Sequence, residues 1–131
     1  MRRKDQQRAL SSYAWAKEAA KDPNVLKEYT IAAQGFAGAL LRGGFAGAAS
    51  ALERDAKPED NKNGRPGFRL LLGHLASYAL PGIPVGEAAA WAGKVRGLAD
   101  LGSYMLATRE MIALLSWLRR ACRALGGENA P

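Results

Sequence analysis

Hydrophobic positions recur along this chain with the spacing of α-helices, and the clearest case is its last long segment. Residues 101–125 read LGSYMLATREMIALLSWLRRACRAL, with no Gly or Pro after Gly102. A stripe of positions recurs there in steps of three and four residues, which is typical of one face of an amphipathic helix. The stripe comprises Tyr104, Thr108, Met111, Leu115, Leu118, Cys122 and Leu125. The segment is therefore predicted to be a long helix with one buried side.

The same spacing predicts five shorter helices before it. They run from Asp5 to Lys21, from about Val25 to Arg42, from Phe45 to about Asp55, from Phe68 to Leu80, and from Val85 or Gly86 to about Gly97. Turn-forming residues separate them, because proline cannot continue a helix and glycine favours its end. Asp5 is expected to cap or complement the N-terminus of the first helix, and Asp100 is the expected N-cap of the last.

Strand-forming patterns are missing from the sequence. No stretch alternates apolar and polar residues over a useful length, and β-branched residues are few, with three Val, three Ile and two Thr. Hydrophobic residues make up 48% of the 131 residues, enough for a buried core. We therefore predict an all-α fold, a compact bundle of about six helices that forms a single domain over residues 1–131. The polar segment 57–66, KPEDNKNGRP, is predicted to be a flexible loop.

A short repeat, GFAGA, occurs at 35–39 and again at 44–48, on either side of a predicted helix break. Glycine inside a helix costs about 1 kcal/mol relative to alanine. We expect Gly35 and Gly38 to offset this cost by letting helices pack closely. A phosphate-binding loop is not indicated, because these glycines follow no strand and no Gly-Lys-Ser/Thr motif is present.

The first helix is predicted to have two different faces. One carries Gln6, Ala9, Leu10, Tyr13, Ala16 and Ala20, and the other carries Lys4, Arg8, Ser11 and Trp15. Two interpretations of the Trp15 ring are open. An exposed tryptophan stacks on a nucleic-acid base or covers a protein interface, whereas a buried one packs against a neighbouring helix. Trp91 and Trp117 are assigned to the core or to partner contacts.

Charge is strongly unbalanced in this chain. It has 19 Lys and Arg against 12 Asp and Glu, a net charge of +7 at pH 7. Such an excess favours a polyanionic partner, nucleic acid before a membrane surface. In the last helix a basic row lies opposite the apolar stripe, within about a sixth of the circumference. It comprises Arg109, Ser116, Arg120 and Arg123, with Arg119 at its edge. Glu110 lies about 100° to the side, so the row is predicted to have no compensating carboxylate.

The candidate nucleic-acid contacts are basic residues near the N-terminus and in the last helix, with one aromatic ring. They are Arg2, Arg3, Lys4, Arg8, Trp15, Lys17, Arg109, Arg119, Arg120 and Arg123. Lysine and arginine neutralise phosphates without reading bases, so such binding is expected to be sensitive to salt and tolerant of sequence. The alternative is that the basic rows are solvated faces or form ion pairs with partner proteins.

Catalytic and metal-binding chemistry is not indicated. His74 is the single histidine and Cys122 the single cysteine, too few for a zinc site of normal ligand spacing. His74 is interpreted as a helix-face imidazole with local hydrogen bonds, and Cys122 as a small buried hydrophobe. Glu59 and Asp60 have no partner carboxylate placed to divide acid and base roles. We therefore expect no catalytic residues, no metal and no cofactor.

Targeting signals are not predicted. The N-terminus, MRRKDQQRA, is basic but leads into no apolar segment, which argues against a signal peptide. No run of about eighteen apolar residues occurs, so neither a transmembrane helix nor a membrane partner is expected. A single cysteine forms no intrachain disulfide, which fits a reducing compartment. The protein is expected to be cytoplasmic.

Three segments of the chain resemble one known family. They read DQQRALSSYAWAKEA at 5–19, LLRGGFAGAASAL at 40–52 and YMLATREMIALLSWLRRACRAL at 104–125. In this order they resemble the small subunit of the type III-B CRISPR effector, the Cmr complex. The most specific part is the tyrosine, followed by LATRE and a leucine-rich helix with Trp and Leu-Arg-Arg. The resemblance runs nearly end to end, and segments 57–66 and 82–95 do not contribute to it.

This resemblance implies an all-helical protein without catalytic residues that acts in antiviral defence. Copies would stack into a minor filament beside the backbone subunits that hold the CRISPR RNA, along the path of the target RNA paired to the guide. Target cleavage would belong to the backbone subunit and cyclic-oligoadenylate synthesis to the large subunit. The expected partners are these subunits, further copies of the chain, and the CRISPR RNA–target RNA. The alternative is an architectural helical adaptor that binds only protein partners.

Overall fold

Residues 4–57 and 65–126 are described by the structure, a computed structural model, and six α-helices make up most of them. The helices are α1 (Lys4–Ala19), α2 (Pro23–Gly43), α3 (Phe45–Ala56), α4 (Pro66–Ala76), α5 (Ala88–Arg96) and α6 (Leu101–Ala124). The described residues contain no strand, only an isolated bridge between Leu80 and Ile83. The prediction of an all-α fold with about six helices is confirmed. None of these helices combines the length and the hydrophobicity that a membrane span requires.

Several helix ends differ from the predicted ones. Residues 58–64 of the predicted loop lie outside the described residues, and α4 begins at Pro66 because the fixed φ of proline suits a first helical turn. Asp100 is the N-cap of α6, as predicted, since its carboxylate accepts hydrogen bonds from Ser103 N at 2.9 Å and from Ser103 Oγ at 2.7 Å. These bonds hold the pKa of Asp100 below its ordinary value.

Gly44 joins α2 to α3 without an intervening loop, at the predicted break. Its φ of +88° lies in the left-handed region that glycine favours, and its N–H donates to Leu40 O at 3.1 Å. In the first turn of α3, Ala46 N donates to the hydroxyl of Tyr104 from α6 at 3.0 Å. This bond satisfies an amide that a helix start leaves unpaired. Helix α6 therefore supports the corner between α2 and α3.

One buried core joins the helices. Helix α6 packs against α1 and α2, and α2 also packs against α3 and α4. The fully buried members of the predicted α6 stripe are Met111, Leu115, Leu118 and Cys122. Each large aliphatic side chain buried in this way stabilises the fold by about 1.5–3 kcal/mol. Phe36, Phe45 and Trp91 form an aromatic cluster with ring centroids 5.6–6.4 Å apart, so Trp91 belongs to the core.

Helix α1 buries neither of its two predicted faces as a whole. Leu10 is 53% exposed and Tyr13 is 38% exposed, so the face that carries them lies partly in solvent. The buried residues of α1 are Ser12, Ala16 and Ala19, whose small side chains suit a close approach to α6. Leu10 and Tyr13 therefore do not mark the buried side of this helix.

The repeated glycines do not mark close helix packing, and that prediction is wrong. A Cβ atom added at Gly35 or at Gly47 would have no neighbour within 4 Å. At Gly38 only the flexible side chain of Arg42 lies near such an atom. These three glycines thus lie on helix surfaces, whereas Phe36 and Phe45 of the same repeat belong to the core.

A close approach between α2 and α4 occurs instead at Gly67. A Cβ atom added there would lie 2.5 Å from the backbone nitrogen of Tyr29 in α2. The Gly67 N–H also donates to Glu28 Oε1 at 2.6 Å, which fixes the start of α4 against α2. Since real side chains do not approach a backbone so closely, this contact requires glycine.

Replacing Gly35 by alanine is expected to stabilise the fold by about 0.5–1 kcal/mol, because the space around it is open and alanine has the higher helix propensity. Gly67→Ala is the opposing control, since its methyl group would collide with the backbone of α2, and we expect it to lose about 1–3 kcal/mol. Equilibrium urea unfolding measures both effects. Destabilisation by Gly35→Ala would contradict the open surface of α2.

Candidate nucleic-acid interface

Helix α6 carries exposed arginines on the side that faces away from the core. They are Arg109, Arg119, Arg120 and Arg123. Successive helical residues turn by about 100°, so these positions share one side of α6 while its apolar stripe faces the core. Among the described residues, no carboxylate lies within 4.0 Å of the guanidinium of Arg109, Arg119 or Arg120. The Arg120 guanidinium lies 4.9 Å from the centroid of the Trp117 ring, a cation–π contact.

The carboxylate of Glu110 lies on the inner side of α6 and is only 7% exposed. Arg8 from α1 donates to both of its oxygens, from Nε to Oε2 at 2.9 Å and from Nη2 to Oε1 at 2.7 Å. The Tyr78 hydroxyl donates to Oε2 at 2.7 Å, and Lys4 Nζ lies 3.8 Å from Oε1. Such a two-bond arginine–carboxylate pair is both strong and geometrically specific. The pair therefore sets the rotation of α1 against α6.

The pKa shifts in this network follow from its hydrogen bonds. Burial opposes ionisation of Glu110, but the bonds from Arg8 and Tyr78 outweigh it, and the pKa of Glu110 is lowered from its ordinary value. Its hydrogen bond to Glu110 raises the pKa of Arg8. Burial, followed by the bond to Glu110, raises the pKa of Tyr78. Glu110 is therefore ionised and its charge is balanced by Arg8.

We expected Arg8 to lie on an outward basic face, and this expectation is wrong, because its side chain turns inward to Glu110. Its side chain is 17% exposed and also contacts Asp5 Oδ1 at 2.9 Å. The physical reason is that a buried carboxylate needs a cation, and Arg8 is the cation on the facing helix. The sequence signal was Glu110 itself, an acid next to an otherwise apolar stripe.

His74 occupies a polar position inside the helix bundle. Its Nδ1 lies 2.7 Å from the Tyr29 hydroxyl, and its Nε2 lies 2.9 Å from Glu18 Oε1. Because a carboxylate only accepts, we place the proton on Nε2, and Nδ1 accepts from the tyrosine. Burial lowers the pKa of His74 and the contact with Glu18 opposes this only in part. The interpretation of His74 as a locally satisfied imidazole is confirmed.

Trp15 packs against this histidine. The two rings are stacked, with centroids 5.1 Å apart and planes 8° apart, and Tyr78 meets the Trp15 ring edge-on at 5.9 Å. Of the two interpretations of Trp15, packing against a neighbouring helix is therefore the one observed. Its role as a base-stacking contact loses its basis, because one face of the ring already lies against His74.

The remaining candidate contacts are distributed over α1 and α6. The Lys4 side chain is 66% exposed and Lys17 is also exposed. Arg2 and Arg3 lie outside the described residues. Because α1 packs against α6, the structure brings the lysines of one helix and the arginines of the other onto neighbouring elements.

A groove of about 320 Å³ lies between α2 and α6, next to the exposed arginines. Its lining residues are Ala37, Leu40, Leu41, Ile112, Leu115, Ser116, Arg119, Arg120 and Arg123. Leu41 is 73% exposed and Ile112 is 41% exposed, so the groove has an apolar floor that water still reaches. Sequence reasoning missed this groove, because the orientation of α2 against α6 is set by contacts distant in sequence.

Reactive side chains are scarce in the described part of the chain. It contains no group of three or more His, Cys, Asp or Glu residues placed to hold a metal ion. Cys122 is fully buried, as predicted. Trp91 Nε1 and Ser12 Oγ are buried without a hydrogen-bond partner, and the Trp91 ring belongs to the hydrophobic core.

Comparison with known proteins adds one match. The family model described as CRISPR-associated protein (Cas_Cmr5) matches residues 4–125. No curated protein and no solved structure matches the chain.

Acidification is expected to destabilise the fold through His74. Burial holds its pKa below the ordinary value of 6.5, so the unfolded chain takes up a proton that the folded chain excludes. The stability due to neutral His74 is complete above pH 6.5 and is lost as the pH falls toward the folded-state pKa. Urea unfolding at about pH 7.5, 6.5 and 5.5 measures this slope.

His74→Gln is the control for this titration, because the chain has no other histidine. The variant is expected to be less stable than the wild type but nearly independent of pH over the same range. A wild-type stability that stays constant or rises on acidification would contradict the assignment.

Proposed function

Because the chain belongs to the CRISPR-associated Cmr5 family, small subunits of type III-B complexes, we propose that it is a non-catalytic subunit of an RNA-guided, RNA-targeting effector in antiviral defence. Copies stack into a minor filament beside the backbone subunits and near the large subunit. The filament supports the paired guide and target RNA through contacts to the RNA backbone. Base pairing reads the sequence in such effectors, so the protein needs only to recognise backbone and shape.

The observation that carries this proposal is the row of exposed arginines on α6. A guanidinium is always charged and presents a planar fork of donors that matches a phosphate. Arg109, Arg119 and Arg120 have no carboxylate nearby among the described residues, so their charge is available to an external anion. One helix, α6, holds them in a fixed order along its axis, which suits contact with a regular RNA backbone.

The non-catalytic role is supported by how the chain uses its reactive side chains. The single histidine and the single cysteine are both buried. His74 is engaged by Tyr29 and Glu18, and Glu110 is engaged by Arg8 and Tyr78. Each of these groups stabilises packing between helices, and none is held ready for proton transfer to a substrate.

A second candidate function, an adaptor that binds only proteins, is favoured by the groove between α2 and α6. Water-exposed Leu41 and Ile112 gain little from a phosphate backbone, whereas an apolar side chain of a partner protein would cover them. Arginines at the rim of such a groove pair with carboxylates as readily as with phosphates. The two functions therefore differ in whether binding of the partner depends on the apolar residues at the floor of the groove.

Isolated protein is expected to bind an RNA duplex weakly, with an affinity that falls steeply as salt rises, since each neutralised phosphate releases counterions. Replacing Arg109, Arg120 and Arg123 together by alanine should lower the slope of log K against log [salt] by about one unit for each phosphate that is no longer neutralised. Fluorescence anisotropy with a labelled duplex at increasing KCl concentrations measures the slope.

The matched control changes three arginines on other elements, Arg54, Arg65 and Arg96, to alanine. It removes the same charge, but Arg54 and Arg96 are already paired with Asp55 and Glu53. We expect it to retain most of the salt dependence. If both triple variants lowered the slope equally, the salt dependence would reflect the net charge of the protein and not the arginines of α6. RNA binding that did not depend on salt would contradict the proposal.

Replacing the groove residues Leu41 and Ile112 together by serine separates the two candidate functions. If α6 supports RNA, duplex affinity should stay within about twofold of the wild type, because apolar side chains add little to phosphate contacts. If the chain is an adaptor, reconstitution with the other subunits should fail while RNA binding by the remaining complex is unaffected. Size-exclusion chromatography of the reconstituted complex, alongside anisotropy, distinguishes these results.

A further inference from the structure

Another concave surface lies beside α1, apart from the arginines of α6 and from the groove between α2 and α6. It is an open depression of about 460 Å³ between α1 and the residues that follow α4. Its lining residues are Lys4, Gln7, Leu10, Ser11, Tyr78 and Ala79. One surface thus combines an aromatic ring, an exposed aliphatic side chain, two neutral polar groups and a cation.

Two polar side chains at this depression are available to a ligand. Among the described residues, Gln7 and Ser11 make no side-chain hydrogen bond. The Tyr78 hydroxyl is committed to Glu110 at 2.7 Å, so its ring is what remains for a ligand. Donors and acceptors beside an apolar wall are the features by which a binding site orients a small planar group.

The surroundings of the depression favour an anion. Lys4 is 66% exposed, and the nearby charge of Glu110 is already balanced by Arg8. Lys17 follows Leu10 by seven residues, almost two turns, and so lies on the same face of α1. The two lysines are about 20 Å apart along the helix axis. An anionic chain that follows α1 would therefore meet a cation at the depression and another beyond it.

We propose that this depression binds an unpaired nucleotide of an RNA strand. The base lies against Leu10 and the ring of Tyr78. Gln7 and Ser11 hydrogen-bond its edge, and Lys4 pairs with its phosphate. This inference rests on RNA binding as the function of the subunit and adds to it a contact with single-stranded RNA, separate from the arginines of α6. Contact with an aromatic ring accepts any base, so the site needs no particular sequence.

A protein segment is the competing occupant, and this depression differs in composition from the groove between α2 and α6, where a protein partner is the alternative. The groove between α2 and α6 is lined mainly by aliphatic side chains and arginines, and its described lining includes no aromatic ring. The depression beside α1 has one aromatic ring, one lysine, an amide and a hydroxyl. Stacking surface combined with hydrogen-bonding groups and a cation is the composition of single-stranded nucleic-acid sites.

The test compares single-stranded and duplex RNA on the full chain. The probes are a fluorescein-labelled oligoadenylate of about eight nucleotides and a labelled duplex of about sixteen base pairs. The double variant Gln7→Ala and Leu10→Ala is expected to bind the oligoadenylate at least about fivefold more weakly, since a net hydrogen bond alone accounts for that factor. Its affinity for the duplex should stay within about twofold of the wild type.

Tyr13→Ala is the matched control, because Tyr13 is an exposed aromatic residue of the same helix that does not line the depression. It should leave both affinities unchanged, and circular dichroism should show the same helix content in all variants. Unchanged oligoadenylate binding in the double variant, or an equal loss of affinity with Tyr13→Ala, would overturn the site. A loss of assembly with the other subunits without a loss of RNA binding would assign the depression to a protein partner.

The outcomes for the two proposals are distinguishable. In one outcome the wild type binds the duplex with strong salt dependence, while the double variant binds the oligoadenylate as tightly as the wild type does. That result overturns the nucleotide site alone. A wild type that binds neither RNA overturns the proposed function, and the nucleotide site with it.

Discussion

The arginine–carboxylate pair between α1 and α6 is the interaction on which the rest of this structure depends. Glu110 would be an isolated buried charge without Arg8, and removing one partner of such a pair costs about 3–5 kcal/mol. The bond from Tyr78 brings the end of α4 to the same carboxylate. Helices α1 and α6 and the segment after α4 thus contact one another through a single carboxylate. The stacking of Trp15 on His74 follows from the same rotation of α1.

This internal pairing also decides how the surface is charged. Glu110 pairs with Arg8, and Glu18 contacts His74, in both cases between helices. Glu53 pairs with Arg96, and Asp55 pairs with Arg54. These acids are therefore used where they stabilise the fold, while the arginines of α6 are left facing outward. In our proposal, membership of the CRISPR-associated Cmr5 family gives these arginines an RNA partner, and the apolar groove beside them suits the competing protein partner.

Local rules predicted the elements of this fold well, and contacts between distant residues decided what they missed. The cap at Asp100 and the break at Gly44 depend on a few neighbouring residues, and both were predicted correctly. The rotation of α1 about its axis does not follow from such local rules, because it depends on Glu110, about a hundred residues away. The same holds for the candidate interface: the exposure of the α6 arginines follows from helical spacing, whereas the groove at Leu41 needs the packing of α2 on α6.

The corner at Gly44 bears on how the proposed filament would respond to displacement of a subunit. Helices α2 and α3 meet there at a single residue, and the hydroxyl of Tyr104 ties that meeting point to the beginning of α6. No loop separates α2 from α3, so these two helices and the beginning of α6 are joined directly at one corner. In the proposed filament, a subunit built in this way would pass a displacement of one neighbour on to the next.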